Sequence, residues 1–255
     1  MSRSVQLLTR ADDAGLNAGT NEGVRRAAAH GVARNLSVLG IGPALEDAAQ
    51  RLLGLDACFG FHACLNSEWL EPCWAPLSGD ARLMDARGML PPTWDALRLL
   101  NPPACAVEAE LSAQLRRLRE HGFAPVYMDE HMFFSYAVPD LRPMLVDFAR
   151  REGLVYRMEL PCLPPLAADS DDASNRFLRR LAGAAPGTWL EIVHPAIDSP
   201  DMCAVRKKGQ PSGVVTDERA RDLCVFTDPR VIEVCTAGHI RLLRYDELAV
   251  EVVFL

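Results

Sequence analysis

Thr9-Arg10-Ala11-Asp12-Asp13-Ala14-Gly15-Leu16 is the stretch on which the reading of this chain depends. It follows a short apolar run, residues 5–8, that reads as a first strand. Gly15, Asn17, Gly19 and Asn21, all turn formers, come after it. Neighbouring side chains in a strand point to opposite faces, but where a strand frays both carboxylates can reach one cleft. Two acids side by side repel each other unless a cation or a proton intervenes, which makes a metal site the first hypothesis. The plainer reading is that Asp12 and Asp13 cap the helix that follows. Histidines at the ends of other strands decide between the two.

Further strands are expected at residues 35–41, 58–62, 125–129, 154–158, 188–193 and 240–244, each bounded by Gly, Pro or polar clusters. Helices are expected between them, at 21–30, 44–53, 139–152, 171–181, from a Thr216 cap to about 224, and 229–237. Val107, Leu111, Leu115 and Leu118 mark another, amphipathic and stopped by Gly122. Strands alternating with helices over 255 residues predict one α/β domain spanning 1–255: a TIM-barrel-like (β/α) barrel of about seven parallel strands. Residues 70–103 and 198–216 read as long loops, which in compact domains are often functional covers.

A net charge of −7 argues against a nucleic-acid backbone as partner. No apolar run reaches the length of about 18 residues that argues for a membrane span, and Met1-Ser2-Arg3-Ser4 leads into a strand without a signal-like apolar core. The eight cysteines include no Cys-x-x-Cys, so reduced, mostly buried thiols in a cytoplasmic protein are expected. Self-assembly is left open.

In parallel α/β folds the carboxyl ends of the strands meet on one rim, where chemistry concentrates. Of six histidines, His62, His131 and His194 fall at strand tips. His30, His121 and His239 sit beside glycines at helix ends, where an imidazolium favours the helix C-terminus. Two histidines and a carboxylate form a catalytic shell for one divalent cation, with positions open for water. Such an ion lowers the pKa of water from about 15.7 to about 7. A second aspartate, not itself a ligand, can then take the proton.

Four motifs, Ala11-Asp12-Asp13-x-Gly15-Leu16, Gly60-Phe61-His62, Met128-Asp129-Glu130-His131 and Val193-His194-Pro195, occur here in this order. With Thr227-Asp228-Pro229, Gly238-His239-Ile240 and Tyr245-Asp246-Glu247-Leu248, the chain resembles the YdjC-like carbohydrate deacetylases over about residues 5–248. That family includes chito-oligosaccharide and hopanoid-associated deacetylases. The resemblance implies a TIM-barrel-like fold and hydrolysis of an N-acetyl group on an amino sugar. It implies Asp13, His62 and His131 as ligands of one divalent ion, and Asp12 as general base. His194 would protonate the leaving amine or hold the base. Ligand softness suits zinc, whereas the family is commonly described with magnesium. The chain departs from the pattern at Ala14, where many members have Phe. Glu130-His131-Met132 stands in place of Ser-His-His, and Ala196 in place of Gly. The ligands persist in a more apolar pocket, which bears on substrate.

Trp69, Trp74 and Phe133 are candidates to stack on a sugar ring, against ordinary packing under a loop. Arg157 joins Trp69 and Phe133 as an expected substrate contact, and the loop with Lys207 and Lys208 can close over a ligand. Two rivals remain at this level. One is a metal-dependent barrel enzyme of another class, a sugar isomerase or phosphodiesterase, with more carboxylates or a second ion. The other is a sugar-binding relative without activity.

Overall fold

The computed structural model describes residues 5–166, 172–238 and 240–248. The sheet is built from β1 (Val5–Ala14), β2 (Asn35–Val38), β3 (Cys58–Ala63), β4 (Tyr127–Glu130), β5 (Gly187–Val193) and β6 (Ile240–Leu243). All pairings are parallel, in the order β4-β3-β2-β1-β5 with β6 against β1. β1 is the hub. Its whole first part, Val5 to Ala11, pairs with β5, while β6 takes Val5 to Leu8 and β2 takes over from Arg10.

Connections are helical, as parallel strands require: α1 (Ala18–Ala29), α2 (Leu45–Leu52), α3 (Trp94–Leu100), α4 (Ala104–Glu120), α5 (Phe134–Ala137), α6 (Arg142–Glu152), α7 (Ala173–Ala182), α8 (Pro200–Ala204), α9 (Val214–Thr227) and α10 (Pro229–Thr236). Strand alternation sorts the two faces. Leu7 and Ala11 face the large core shared with the helices. Leu8 faces a small inner core with Cys58, Tyr127, Leu190, Leu243 and Tyr245. Polar groups occupy the level above that inner core.

The sequence-based strand at 154–158 does not form. Val155 makes one parallel bridge to Tyr127, and Cys162 makes one to Leu190. The amide of Met128 donates to Val155 O at 2.9 Å and that of Leu190 to Pro161 O at 2.8 Å. One irregular stretch thus touches both free edges of a curled half-barrel, and among the described residues the closed seven-stranded ring is replaced by six strands. Pro161 has no N–H to donate, so this stretch cannot run a continuous ladder.

Other expectations need smaller corrections. β1 does not stop at Leu8 but carries both aspartates to Ala14. The cap of α1 is Asn17, whose side chain accepts from the Thr20 amide at 2.7 Å, so neither aspartate serves there. α9 starts after Gly213, and Thr216 lies inside it. The two long loops contain α3 and α8. All eight cysteines are free, but Cys73, Cys105, Cys162 and Cys224 are exposed rather than buried. His30 and His121 do close helices, whereas His239 and the expected helix start at Asp171 lie outside the described residues. Among the described residues no helix is long and apolar enough to cross a membrane.

Gly60 lets β3 approach Tyr127, since a Cβ there would sit 2.1 Å from that ring. Tyr127 in turn stacks on Tyr245 with centroids 4.0 Å apart, at the floor of the site. Gly60→Ala is expected to lower stability by about 1–3 kcal/mol, as overpacking does. Urea unfolding followed by circular dichroism measures it, and an unchanged midpoint would contradict this packing.

Candidate active site

Four strand ladders carry polar groups upward from the inner core at every second residue: 8-10-12 on β1, 58-60-62 on β3, 127-129-131 on and beyond β4, and 190-192-194 on and beyond β5. Asp13 breaks that rhythm. Between Ala11 and Ala14 the β1–β2 register slips by a residue, a bulge, and Asp13 takes the left-handed φ of 67°. Aspartate tolerates that conformation better than most residues. The bulge, rather than a frayed end, turns consecutive carboxylates into one cavity of about 310 Å³.

Asp13, His62 and His131 meet there. His131 Nδ1 lies 3.1 Å and His62 Nε2 3.3 Å from Asp13 Oδ1, and the two nitrogens are 3.2 Å apart. Asp13 Oδ1 is buried without a hydrogen-bond partner. The three atoms therefore converge on a common point. Donors at about 2.0–2.2 Å from a zinc-sized ion leave separations of this order, so the triangle fits a divalent cation.

The far sides of the two imidazoles are held as well. His62 Nδ1 is 2.7 Å from Asp129 Oδ2, and His131 Nε2 is 3.0 Å from Glu68 Oε2. With a cation at the triangle, each carboxylate would take the imidazole N–H and leave the other nitrogen's lone pair facing it. Arg219 Nη2 donates to Asp13 Oδ2 at 2.5 Å. Four buried carboxylates (Asp12, Asp13, Glu68, Asp129) face two guanidinium groups (Arg10, Arg219), an excess of negative charge that a divalent ion at the triangle would offset.

Without an ion the histidines must carry protons instead. Burial disfavours the charged imidazole of His62, but Asp129 and Asp12 outweigh it and push its pKa up to about 9. His131 is likewise raised, with Glu68 opposing the cost of burial. Burial would raise Asp13, yet Arg219 and His131 hold it well below the usual carboxylate range.

Asp12 stands beside the triangle. Arg10 grips it with two bonds, Nε to Oδ1 at 2.7 Å and Nη2 to Oδ2 at 2.8 Å. Against the effect of burial, Arg10 keeps Asp12 ionised. Arg10 also reaches Asp129 Oδ2 at 3.1 Å. Asp12, His62 and Asp129 come close enough together to suggest a second ion, but the guanidinium already bridges their carboxylates.

His194 lines the same cavity without joining the triangle. Its amide donates to Asp222 Oδ2 at 2.8 Å, and burial lowers the pKa of its imidazole, leaving it neutral at pH 7. Trp69 and Phe133 also line the cavity, with Lys207 Nζ 5.4 Å from the Trp69 ring centre. Trp74 does not line it; its Nε1 donates to Asn66 O at 2.9 Å under the loop. Arg157 points elsewhere, into an adjoining cavity, and is paired with Glu159.

The YdjC-like protein family model matches residues 6–237. The chain belongs to that family. A carbohydrate deacetylase of Geobacillus stearothermophilus is 25% identical over 256 residues, covering 94% of this chain and 96% of that protein. A chitooligosaccharide deacetylase of Enterobacter sp. (strain 638) is 29% identical over 157 residues, 60% of this chain and 59% of that one. A crystal structure from Enterococcus faecalis V583, provisionally described as a cellobiose-phosphate cleavage protein, superposes with a TM-score of 0.78 at 18% identity. It covers 96% of this chain and 99% of that one and shares its fold.

In this YdjC-like site, sequence reasoning overlooked Glu68 and the part played by Arg10. Arg10 could have been found from its i, i+2 spacing to Asp12 on one strand face. Glu68 sits in a loop without periodicity and left no signal. Asp129→Asn or Glu68→Gln is expected to weaken divalent-metal affinity about 10- to 100-fold by loosening a ligand's orientation. Calorimetric zinc titration reads this, and unchanged affinity in both variants would remove the carboxylates from the site.

Proposed function

We propose that the chain is a carbohydrate deacetylase that uses one divalent ion, zinc or magnesium, held by Asp13, His62 and His131 to hydrolyse an N-acetyl group on an amino sugar. The observation that carries this reading is the three-donor triangle with an ionised carboxylate, Asp12, beside it but outside it. The names of the relatives support the substrate class. The bridging of the second carboxylate group by Arg10 speaks against a two-ion phosphodiesterase.

A bound divalent ion supplies Lewis acidity and makes water acidic enough to ionise near neutral pH. The chain's own groups do the rest. Asp12, fixed by Arg10, accepts the proton of the attacking water. His194, neutral at rest, receives at one ring nitrogen the proton that Asp12 took from the water and passes it to the departing nitrogen. The acyl C–N bond breaks, and acetate and a free amino sugar leave with no net loss of protons from the protein. Trp69 walls the acetamido pocket, and the exposed Lys207 stands at its mouth. Free cysteines suit a reducing compartment, which makes a cytoplasmic site of action our reading.

Acetate release from N-acetylated sugars, with and without chelator, tests the activity. Asp13→Ala and His62→Ala should lose metal and activity together. Asp12→Asn should retain metal and lose about 10²- to 10⁴-fold in kcat. Full activity in Asp12→Asn would end the base assignment. At saturating metal, kcat should fall as pH drops through a His194 pKa that lies below the usual 6.5. That inflection should vanish in His194→Gln.

A further inference from the structure

His62 belongs to two groups of possible metal donors. Its Nε2 faces Asp13 within the triangle, and its Nδ1 faces Asp129 on the other side of the ring. Asp12, His62 and Asp129 also offer one donor atom each, all within 4.8 Å of one another. An imidazole with two carboxylates is an ordinary ligand set for a divalent ion. An ion held there would occupy Asp12, which would then no longer be free to accept a proton.

Arg10 stands in that space instead. Its Nε and Nη2 grip Asp12 at 2.7 and 2.8 Å, and the same Nη2 reaches Asp129 Oδ2 at 3.1 Å. One charged nitrogen thus spans the two carboxylates, as a shared cation would. A guanidinium does not lose its proton in a protein, so this positive charge is permanent. Nor can the side chain withdraw easily. Arg10 is 3% exposed, and its backbone lies opposite Asn35 on one side and Ile192 on the other. Beneath it, Nη1 is 3.4 Å from the hydroxyl of Tyr245, whose ring is stacked on Tyr127.

Asp13 has an arginine too, and the two pairings differ. Arg219 Nη2 takes only Oδ2 of Asp13, at 2.5 Å, and leaves Oδ1 without a hydrogen-bond partner beside the histidines. Arg10 takes both oxygens of Asp12. One carboxylate keeps a donor atom for an ion, and the other is filled by a guanidinium. A divalent ion approaching Asp12 and Asp129 would also meet that fixed charge at close range in a buried site, where water screens little.

We infer that Arg10 is the positioning residue that decides where the metal binds: a built-in cation that closes the Asp12–His62–Asp129 group to divalent ions. It confines the ion to Asp13, His62 and His131 and so leaves Asp12 available as the base. This rests on the one-ion site proposed above and identifies what selects it over its neighbour.

Calorimetric zinc titration tests it. The native chain should take up one ion, and Asp13→Ala none, because Arg10 still closes the other group. Adding Arg10→Ala to Asp13→Ala should restore one ion per chain. Adding Arg10→Lys, which keeps a positive charge there, should not. X-ray absorption should count two imidazoles on the ion in the native chain and one in the restored variant. Removing the guanidinium leaves two buried carboxylates unpaired, so zinc should raise the melting temperature of the Asp13→Ala/Arg10→Ala protein, read by circular dichroism. A double variant that takes up no zinc, or that zinc does not fold, overturns the inference and leaves the triangle standing. Uptake by Asp13→Ala alone, restoration by lysine, or two imidazoles on the restored ion overturns it too. No uptake by the native chain overturns the metal site itself.

Discussion

Burial of like charge is the constraint on which the upper half of this molecule depends. Asp12, Asp13, Glu68 and Asp129 are all 9% exposed or less, too deep for water to screen them. Arg10 and Arg219 offset part of the repulsion, and each does so by touching a carboxylate at 2.7 Å or closer. The remainder falls to His62 and His131, which can be charged themselves or can share a cation. The same groups therefore stabilise the fold and define the chemistry. Replacing any one of them changes charge balance before it changes shape.

That constraint explains why one aspartate is a donor to the triangle and its neighbour is not. Arg10 and Asp12 lie two residues apart on one strand face, so their bidentate pairing needs no special backbone. Asp13 would point into the helical layer in a regular strand. The bulge reverses it, and Arg219 from α9 captures the oxygen that the triangle leaves over. A shift of one residue in β1 thus separates the carboxylate that Arg10 holds from the one that joins the triangle.

Much of this was legible in the residues. The strand tips at Asp12, His62, His131 and His194 follow from period-two runs stopped by polar groups, and the structure brings all four to one cavity. The family followed from the order of the motifs. The closed barrel did not survive, because residues 154–162 carry β-like side chains but make only two single bridges, with Pro161 unable to extend either. Trp74 turns away from the cavity, and Arg157 lines the adjoining one, for a related reason. A loop aromatic or a charged residue near a strand end reveals its direction only through partners, here Asn66 and Glu159, that periodicity does not register.

The turn after β4 shows how a departure from a family pattern can be read physically. A second histidine there would have added another polar group to an already charged cavity. Met132 and Phe133 instead adopt left-handed backbone, at a cost of about 1–3 kcal/mol each. Glu130 offsets that strain: it is buried, burial raises its pKa, and it accepts from Ser135 and Tyr156 across the turn. The turn held in this way sets Phe133 between the two cavities. On the function proposed above the first cavity carries the chemistry, and Phe133 stands in the wall that it shares with the second.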